Sequence, residues 1–418
     1  MSAIGEAFRA ARERYAEYGV DAEKAIETLR GTELSLHCWQ GDDVIGFEQS
    51  GGALSGGIMA TGNYPGRARS ADELRADMAE AFSLLPGRQR ANLHAIYLET
   101  GGRDVGRDEI EIGHFEGWMD WARRQGVALD FNTSMFSHPK ADGYTLASYD
   151  RGVREFWIEH GRRCRAIGAE MGRRQGSPCV LNHWMVDGCK EPPADRLARR
   201  ELFMEGLDAI MADSLPKERL LDSIESKLFG LGMESFTAGS AEFCFGYAMK
   251  RGIMLTYDLG HFHPTESIAD KISSSLLFID RLLLHTSRGV RWDSDHVALR
   301  GDDVDALMQE VVRAKALGRV NIALDFFDAS INRVAAWVIG ARSTMAALLA
   351  ALLEPAELML GYERDGDATG RLAMIAEQRN LPAGAVWDYY CEQENVPAGL
   401  RWLDEARRYE REELGKRA

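Results

Sequence analysis

The 418-residue sequence contains no C-x-x-C pair, and most of its six cysteines lie within apolar runs. This argues against a structural zinc site built on thiolates and favours a reduced, cytosolic setting with buried thiols. The sequence also lacks any block of Lys and Arg residues, and its formal net charge is −15. Because contacts to phosphate need clustered basic side chains, neither a nucleic-acid partner nor an anionic membrane surface is expected.

Two further absences concern membranes and nucleotides. No apolar run approaches the roughly 18 residues that a membrane span requires, so no membrane segment is predicted. The N-terminus mixes acidic and basic residues and is predicted to open an amphipathic helix rather than a signal peptide. The Gly-rich stretch 51–66 is not followed by G-K-[S/T], so it does not match a phosphate-binding loop. A lid and an unstructured insertion remain equal alternatives for it.

What the sequence does contain is eight strand-like apolar runs that alternate with helical segments. The predicted strands are residues 34–39, 91–98, 127–132, 179–184, 220–225, 253–258, 282–286 and 319–326. Alternation of strands and helices predicts a parallel sheet, and eight such units predict an α/β fold, a closed (β/α)₈ TIM barrel.

The predicted barrel domain, with its N-terminal helix, spans residues 1–355. Residues 356–418 are predicted to be a C-terminal helical extension that is rich in Trp and Tyr. We assign this extension to contacts between subunits of an oligomer. The alternative is that it packs on its own barrel.

Polar residues gather at or near the carboxyl ends of the predicted strands, where a barrel of this kind places its active site. They are His37, His94, Asn132, Trp184, Glu225, Asp258, His285 and Asp325. A lone Asp at a strand end is more often a helix cap, and a lone His is more often a hydrogen-bonded core residue. Neither explanation predicts that polar residues should occur together at the ends of successive strands.

Seven acids and imidazoles are candidate metal ligands. Adjacent strands are expected to place four of them around one ion, namely Glu225, Asp258, His285 and Asp325. The following loops would place three more around a second ion, namely His261, Asp293 and Asp295. Asp258 could bridge the two ions. Ligands of this kind, with no thiolate, point to two divalent cations among Mn²⁺, Mg²⁺, Co²⁺ and Zn²⁺. Mn²⁺ is our first choice among these four.

The charges of these residues also favour two cations. The five carboxylates among the candidates could not all ionise in one pocket without compensation. Two divalent ions and Lys227, which lies two residues after Glu225, would supply five positive charges. The alternative for Lys227 is an ordinary lysine exposed to solvent.

Several long motifs resemble those of the L-rhamnose isomerase family. They are HCWQGDD (37–43), ATGNYPG (60–66), NLHAIY (92–97), ESKLFG (225–230), GHFHPTE (260–266), VRWDSDH (290–296) and LDFFDASINR (324–333). The resemblance covers nearly the whole chain, including the C-terminal helices. It implies a metal-dependent aldose–ketose isomerase that converts L-rhamnose to L-rhamnulose on a (β/α)₈ barrel assembled as a homotetramer.

The resemblance also implies roles for individual residues. It supports the two groups of metal ligands given above, and His94, Trp184 and Lys227 match residues that line the sugar site. Trp39 and Phe136 are candidates for apolar contacts with the sugar. The catalytic candidates are Asp325, Lys227 and His94.

The implied reaction moves a hydrogen between C1 and C2 of the sugar. A hydride shift is favoured, because no dedicated base for the C–H bond is evident in the sequence. In that route Lys227 would stabilise charge on a sugar oxygen, and Asp325, or water on its metal, would carry the hydroxyl proton. Trp184 would help to exclude water.

Two other functions are compatible with such ligands. A phosphodiesterase or endonuclease with two or three metals would also combine His, Asp and Glu, but it would need a basic surface that a net charge of −15 does not favour. A non-catalytic protein that binds metal and sugar would not need two cations together with Lys227.

Overall fold

The computed structural model describes residues 2–48, 60–227, 234–263, 265–290 and 293–417. Of residues 293–295 it describes the backbone only. Most of the Gly-rich stretch 51–66 lies outside the described residues. Its two alternatives, a lid and an unstructured insertion, therefore both stay open.

Eight parallel strands close into a barrel, which confirms the predicted fold class. The strands are β1 (Glu33–His37), β2 (Arg88–His94), β3 (Ala128–Asn132), β4 (Cys179–His183), β5 (Leu220–Glu225), β6 (Met254–Asp258), β7 (Leu282–Thr286) and β8 (Val320–Leu324). Each strand pairs with the next one in this order. The ring closes where Leu34 of β1 lies opposite Ile322 of β8.

Helices connect the strands and surround the barrel. They are α1 (Ala3–Ala16), α2 (Ala22–Arg30), α3 (Ala71–Ser83), α4 (Glu116–Gln125), α5 (Arg151–Gln175), α6 (Arg196–Ile210), α7 (Ala241–Arg251), α8 (Ala269–Ser275), α9 (Asp302–Arg313) and α10 (Arg333–Leu352). The N-terminal helical region is divided into α1 and α2 at a turn where Gly19 has φ +76° and the Asp21 side chain accepts from the backbone N–H of Glu23 and Lys24.

Four of the predicted strands are too long at their carboxyl ends: those predicted to end at 39, 98, 184 and 326 end at 37, 94, 183 and 324. After β1 and β2 the chain turns at once into short 3₁₀ helices, Cys38–Gln40 and Ala95–Tyr97. The last residue pair of β2 with β3 joins His94 to Asn132, so no neighbouring strand continues beyond this point. The apolar residues in these two turns, such as Trp39 and Ile96, are buried although they are not part of a strand.

On strands β4 to β8, the inward-facing residues form two layers of different chemistry. The lower layer is an apolar cluster that is separate from the main core and consists of Val180, Leu221, Met254, Leu283 and Ala323. Two residues further along their strands lie Asn182, Ser223 and Thr256, which are buried and hydrogen-bonded to one another. Side chains alternate between the two faces of a strand, so residues two apart line the same interior.

Four C-terminal helices follow, and they contact the rest of the same chain. They are α11 (Ala356–Arg364), α12 (Ala368–Gln378), α13 (Ala383–Gln393) and α14 (Arg401–Glu412). Tyr389 stacks on Phe8 with ring centroids 3.9 Å apart, and the Tyr409 hydroxyl donates to Asp77 at 2.7 Å. The extension therefore packs on its own barrel, which does not prevent it from also contacting other subunits. Its treatment as a separate domain remains a prediction.

Among the described residues, helix α10 is long and apolar enough to cross a membrane by length and composition. The sequence has no unbroken apolar run of that length here, because Arg342, Ser343 and Thr344 interrupt it, and the absence of a membrane segment stays a prediction. In addition, 78% of the helix's most apolar stretch is buried inside the protein. The Trp337 indole on this helix donates to the backbone oxygen of His37 at 2.8 Å. These contacts are those of a core helix.

Candidate active site

Four ionisable side chains meet at the carboxyl ends of neighbouring strands. Glu225 and Asp258 end β5 and β6, His285 lies in β7, and Asp325 directly follows β8. One nitrogen or oxygen atom from each lies within 4.8 Å of those of the other three. We call these four residues the carboxylate–histidine cluster. The sequence predicted this group, and the structure brings it together.

The imidazole of His285 lies at the centre of the cluster. Its Nδ1 is 3.1 Å from Asp325 Oδ2, 3.3 Å from Glu225 Oε1 and 3.8 Å from Asp258 Oδ2. Glu225, Asp258 and His285 are buried, whereas the Asp325 side chain is 19% exposed. Asp325 is therefore the member of the cluster that a small molecule at the barrel mouth reaches most easily.

The cluster fits a divalent cation. Glu225 Oε1 and both ring nitrogens of His285 are buried, and they form no well-directed hydrogen bond with any described residue. Buried polar atoms normally have partners, so three unsatisfied atoms in one place indicate a missing one. Carboxylate oxygens and imidazole nitrogens are suitable ligands for Mn²⁺, Co²⁺ or Zn²⁺.

Burial and mutual repulsion shift the pKa values of these residues. Burial and the nearby charges of Asp325 and Glu225 raise the pKa of Asp258 to about 7. Burial lowers the pKa of His285, but attraction to Glu225 and Asp325 outweighs burial and raises it well above its usual value. The three carboxylates of the cluster carry more negative charge than one imidazole can balance, and a bound cation would supply the missing positive charge.

The second group of predicted ligands is described only in part. His261 Nδ1 lies 3.2 Å from Glu225 Oε1 and 2.9 Å from the backbone oxygen of Ser226. Asp293 and Asp295 lie in the short strand Asp293–His296, which pairs antiparallel with Arg288–Val290 just after β7. The side chains of both aspartates lie outside the described part of the chain. A second ion therefore stays a prediction.

Lys227 is buried rather than exposed to solvent. Its Nζ donates to the backbone oxygen of Val186 at 2.5 Å and forms an ion pair with Glu234 at 2.8 Å. Glu234 thus neutralises the charge that the sequence had assigned to the metal ligands, so that charge count was wrong. Glu234 could have been noticed, since it is a carboxylate seven residues after the candidate lysine.

An aromatic wall lies beside the cluster and consists of Trp39, His94, Phe136 and Trp184. The rings meet edge to face in that order, with centroid distances of 4.6, 5.2 and 6.0 Å. The Trp39 indole also donates to Asp325 Oδ1 at 2.9 Å, which joins the wall to the cluster. The structure thus brings these four predicted residues together, while their contact with a sugar stays a prediction.

The histidines at the strand ends differ in their hydrogen bonds. His94 Nδ1 bonds to the backbone oxygen of Thr133 at 3.1 Å, and this leaves Nε2 as the acceptor nitrogen. Burial lowers the pKa of His94 to about 4, so the ring is neutral at pH 7. His37 Nε2 instead bonds to the backbone oxygen of Phe326, which makes His37 a core residue. Asn132 bonds to Asn92 at 2.6 Å.

A model of the L-rhamnose isomerase family matches residues 2–417. This chain belongs to the L-rhamnose isomerase family. The L-rhamnose isomerase of Rhodopirellula baltica is 57% identical over 416 residues, which cover 99% of this chain and 97% of that protein. That of Pectobacterium carotovorum is 54% identical over 408 residues and covers 97% of each chain.

Similarity to solved structures is much weaker. A D-allulose 3-epimerase from Methylomonas sp. aligns with a TM-score of 0.46 and 13% identity, over 76% of this chain and 94% of that one. This likeness is too low to add to the fold described above.

In this member of the L-rhamnose isomerase family, the sequence did not reveal the polar residues below the cluster. Asn182 Nδ2 donates to Glu225 Oε2 at 2.5 Å, and Thr256 Oγ1 donates to Asn182 Oδ1 at 2.8 Å. Ser223 bonds to Thr256 at 2.6 Å. Ser223 and Thr256 lie two positions before Glu225 and Asp258, so the two-residue period of a strand could have identified them.

Proposed function

We propose that this chain is a metal-dependent aldose–ketose isomerase that converts L-rhamnose to L-rhamnulose. The family match over residues 2–417 supports the reaction and the substrate. The observation that carries the metal dependence is the carboxylate–histidine cluster, with the unsatisfied atoms of Glu225 and His285 at its centre.

The proposed site holds two divalent cations, of which Mn²⁺ is the preferred identity. The carboxylate–histidine cluster would hold the first, and His261, Asp293 and Asp295 would hold the second, with Asp258 shared. A cation bound there supplies Lewis acidity toward a sugar carbonyl and its neighbouring hydroxyl. Support for the second site comes from the position of His261, 3.2 Å from Glu225 Oε1.

The aromatic wall would bind the sugar and exclude water. Trp39, Phe136 and Trp184 offer apolar ring surface beside the cluster, and a dry site strengthens its electrostatic interactions. His94 Nε2, which carries the lone pair, would accept a hydrogen bond from a sugar hydroxyl. Trp184 Nε1 is buried without a partner among the described residues and would donate to another sugar oxygen.

Asp325 and Lys227 have the proposed roles closest to the reacting atoms. Asp325 would move the hydroxyl proton between the two sugar oxygens, because it is the most exposed carboxylate of the cluster. Lys227 would stabilise negative charge on a sugar oxygen. Its ion pair with Glu234 and its hydrogen bond to the backbone oxygen of Val186 fix the position of the ammonium group.

We propose a hydride shift between C1 and C2 rather than an enediol route. The enediol route needs a base at the C–H bond and exchanges the hydrogen with solvent, whereas a direct shift does not. When the reaction runs in D₂O, NMR of the product is expected to show no deuterium at C1. Deuterium at C1 in every turnover would overturn the hydride shift while leaving the isomerase activity intact.

The activity itself is tested with purified protein, L-rhamnose and Mn²⁺. Formation of a ketose is expected, and thorough chelation should abolish it until Mn²⁺ is restored. A protein that forms no ketose, or one that is fully active after chelation, would overturn the proposal. Hydrolysis of nucleic acid under the same conditions would favour the metallonuclease alternative instead.

We also propose that the protein is a cytoplasmic homotetramer whose partner is a small sugar, with no role for nucleic acid or a membrane. Support for assembly comes from exposed apolar residues on the C-terminal extension, including Leu372 and Leu400, which are 67% and 74% exposed. Light scattering should give four times the chain mass of 46.5 kDa. A value equal to one chain would exclude the tetramer.

A further inference from the structure

We propose that Asn182, Thr256 and Ser223 form a positioning relay that holds the Glu225 carboxylate in the orientation needed for metal binding. This inference rests on the proposed function, because it presupposes a cation at Glu225. The three residues are buried inside the barrel, between the apolar cluster and the carboxylate–histidine cluster to which Glu225 belongs.

The relay consists of three consecutive hydrogen bonds. Ser223 Oγ lies 2.6 Å from Thr256 Oγ1, Thr256 Oγ1 lies 2.8 Å from Asn182 Oδ1, and Asn182 Nδ2 lies 2.5 Å from Glu225 Oε2. The residues come from β4, β5 and β6, which are neighbours in the barrel. Each strand therefore fixes one link of the relay.

The donor and acceptor inventory gives the relay one direction. Glu225 as a carboxylate can only accept, so the Asn182 amide must present its NH₂ to Glu225 and its oxygen to Thr256. The single hydroxyl proton of Thr256 then points to Asn182, and Ser223 must donate to Thr256. Rotating the amide by 180° would set an oxygen 2.5 Å from Glu225 Oε2, which is repulsive.

The consequence is that the two oxygens of Glu225 have different roles. Oε2 is occupied by Asn182, whereas Oε1 is buried without a hydrogen bond among the described residues. Oε1 lies 3.3 Å from His285 Nδ1 and 3.2 Å from His261 Nδ1. The relay therefore leaves Oε1 as the ligand atom and removes the freedom of the carboxylate to turn away.

Replacing a residue that hydrogen-bonds to a metal ligand, without touching the metal itself, typically lowers metal affinity by about 10–100-fold. Thr256→Val removes the middle hydroxyl and preserves shape, so it should weaken Mn²⁺ binding by about 10-fold. Asn182→Leu removes the direct bond and should weaken it by about 100-fold. Thr256→Ser keeps the hydroxyl and should bind Mn²⁺ as the natural chain does.

The readout is calorimetric titration of the metal-free protein with Mn²⁺ alone, without substrate. The Glu225→Ala variant identifies which binding event belongs to Glu225. Asn92→Ala is the matched control, because Asn92 is also a buried barrel asparagine but is hydrogen-bonded to Asn132. It should leave Mn²⁺ affinity unchanged.

Unchanged affinity in a folded Thr256→Val protein, or an equal loss in Asn92→Ala, would overturn the relay. Thermal melts of the metal-free variants establish that each one is folded. A natural chain that binds no Mn²⁺ would instead overturn the proposed function, so the two failures are distinguishable.

Discussion

Along strands β4 to β8, the two ends of the barrel interior are built from the same strands but differ in chemistry. The lower end is the apolar cluster of Val180, Leu221, Met254, Leu283 and Ala323. Two or four residues later the same strands carry the relay and the carboxylate–histidine cluster. Only the position along the strand separates the two ends.

The difference shows how stability and chemistry are divided within one barrel. The apolar end stabilises the fold by removing side chains from water, at about 25 cal/mol per Å². The polar end gathers three carboxylates, and burial together with their mutual repulsion raises the pKa of Asp258, which opposes folding unless a cation is bound. We therefore expect mutations at the two ends to affect different properties.

The largest expected effect comes from Asp258→Asn at the polar end. Asn keeps an acceptor for the N–H of Gly260 and the hydroxyl of Ser287, but it removes the charge. Turnover should fall by more than about 100-fold, because replacing a residue that only hydrogen-bonds to a metal ligand already lowers metal affinity or activity by about 10–100-fold. The metal-free variant should be at least as thermally stable as the natural chain. A clear loss of stability would contradict the division between the two ends.

The converse test is Leu283→Ala at the apolar end, two residues before His285 on β7. The cavity should lower the free energy of unfolding by about 2–5 kcal/mol, measured by urea denaturation. Mn²⁺ affinity and turnover at a temperature where the protein is folded should not change, and Leu283→Ile serves as the conservative control. Loss of metal binding in Leu283→Ala would show that the two ends are coupled.

Lys227 tests whether the polar end extends to the loop after β5. Lys227→Met should reduce turnover by more than about 10-fold while the metal content stays constant, because the ammonium is proposed to act on the sugar. The change also leaves the half-buried Glu234 without this partner. The double variant Lys227→Met/Glu234→Leu should therefore recover stability but not turnover. A variant that loses metal but retains turnover per bound metal would make Lys227 structural.

The smallest expected effect concerns pH and His160, which supports a loop at the polar end. His160 Nε2 accepts from the backbone N–H of Ser134, and burial lowers its pKa to about 3. The unfolded chain binds a proton near pH 6.5, whereas the folded chain does not until about pH 3. His160 therefore contributes stability above pH 6.5 that is lost as the pH falls toward 3.

Replacing His160 by Gln should flatten this pH dependence. Between pH 6 and 4 the slope of the unfolding free energy should decrease by up to about 1.4 kcal/mol per pH unit, which is the contribution of one proton. Urea midpoints at several pH values measure the slope, and the protein should lose some stability at pH 8 from the broken hydrogen bonds. An unchanged slope would mean that His160 is not kept neutral by burial.

Much of the barrel could be predicted, because its strands are apolar and separated by helices. The bounds of β5 and β7 were correct, whereas the strands ending at His37 and His94 were predicted to be too long. Apolar residues after these ends form buried 3₁₀ turns, and apolarity alone does not distinguish a buried turn from a strand. Likewise, α10 has the apolar composition of a membrane span, and only its contacts show that it is a core helix.

The four ionisable residues that meet at the strand ends could be predicted, but their hydrogen-bond partners could not. Carboxylates and imidazoles at strand ends are uncommon enough to be noticed, and Glu225, Asp258, His285 and Asp325 do meet. The partner of Lys227 and the relay through Asn182 were missed. Asn, Thr and Ser are ordinary residues in any sequence, and their importance depends on which neighbour they face.

By itself, the sequence determined the order of strands and helices and the types of ligand available, since both follow from local patterns of apolar and ionisable residues. Tertiary structure alone decided which oxygen of Glu225 is left without a hydrogen bond and which carboxylate neutralises Lys227. The physical reason is that a hydrogen bond or ion pair depends on distances of about 3 Å. Such distances exist only after strands that are far apart in the chain have closed into a barrel.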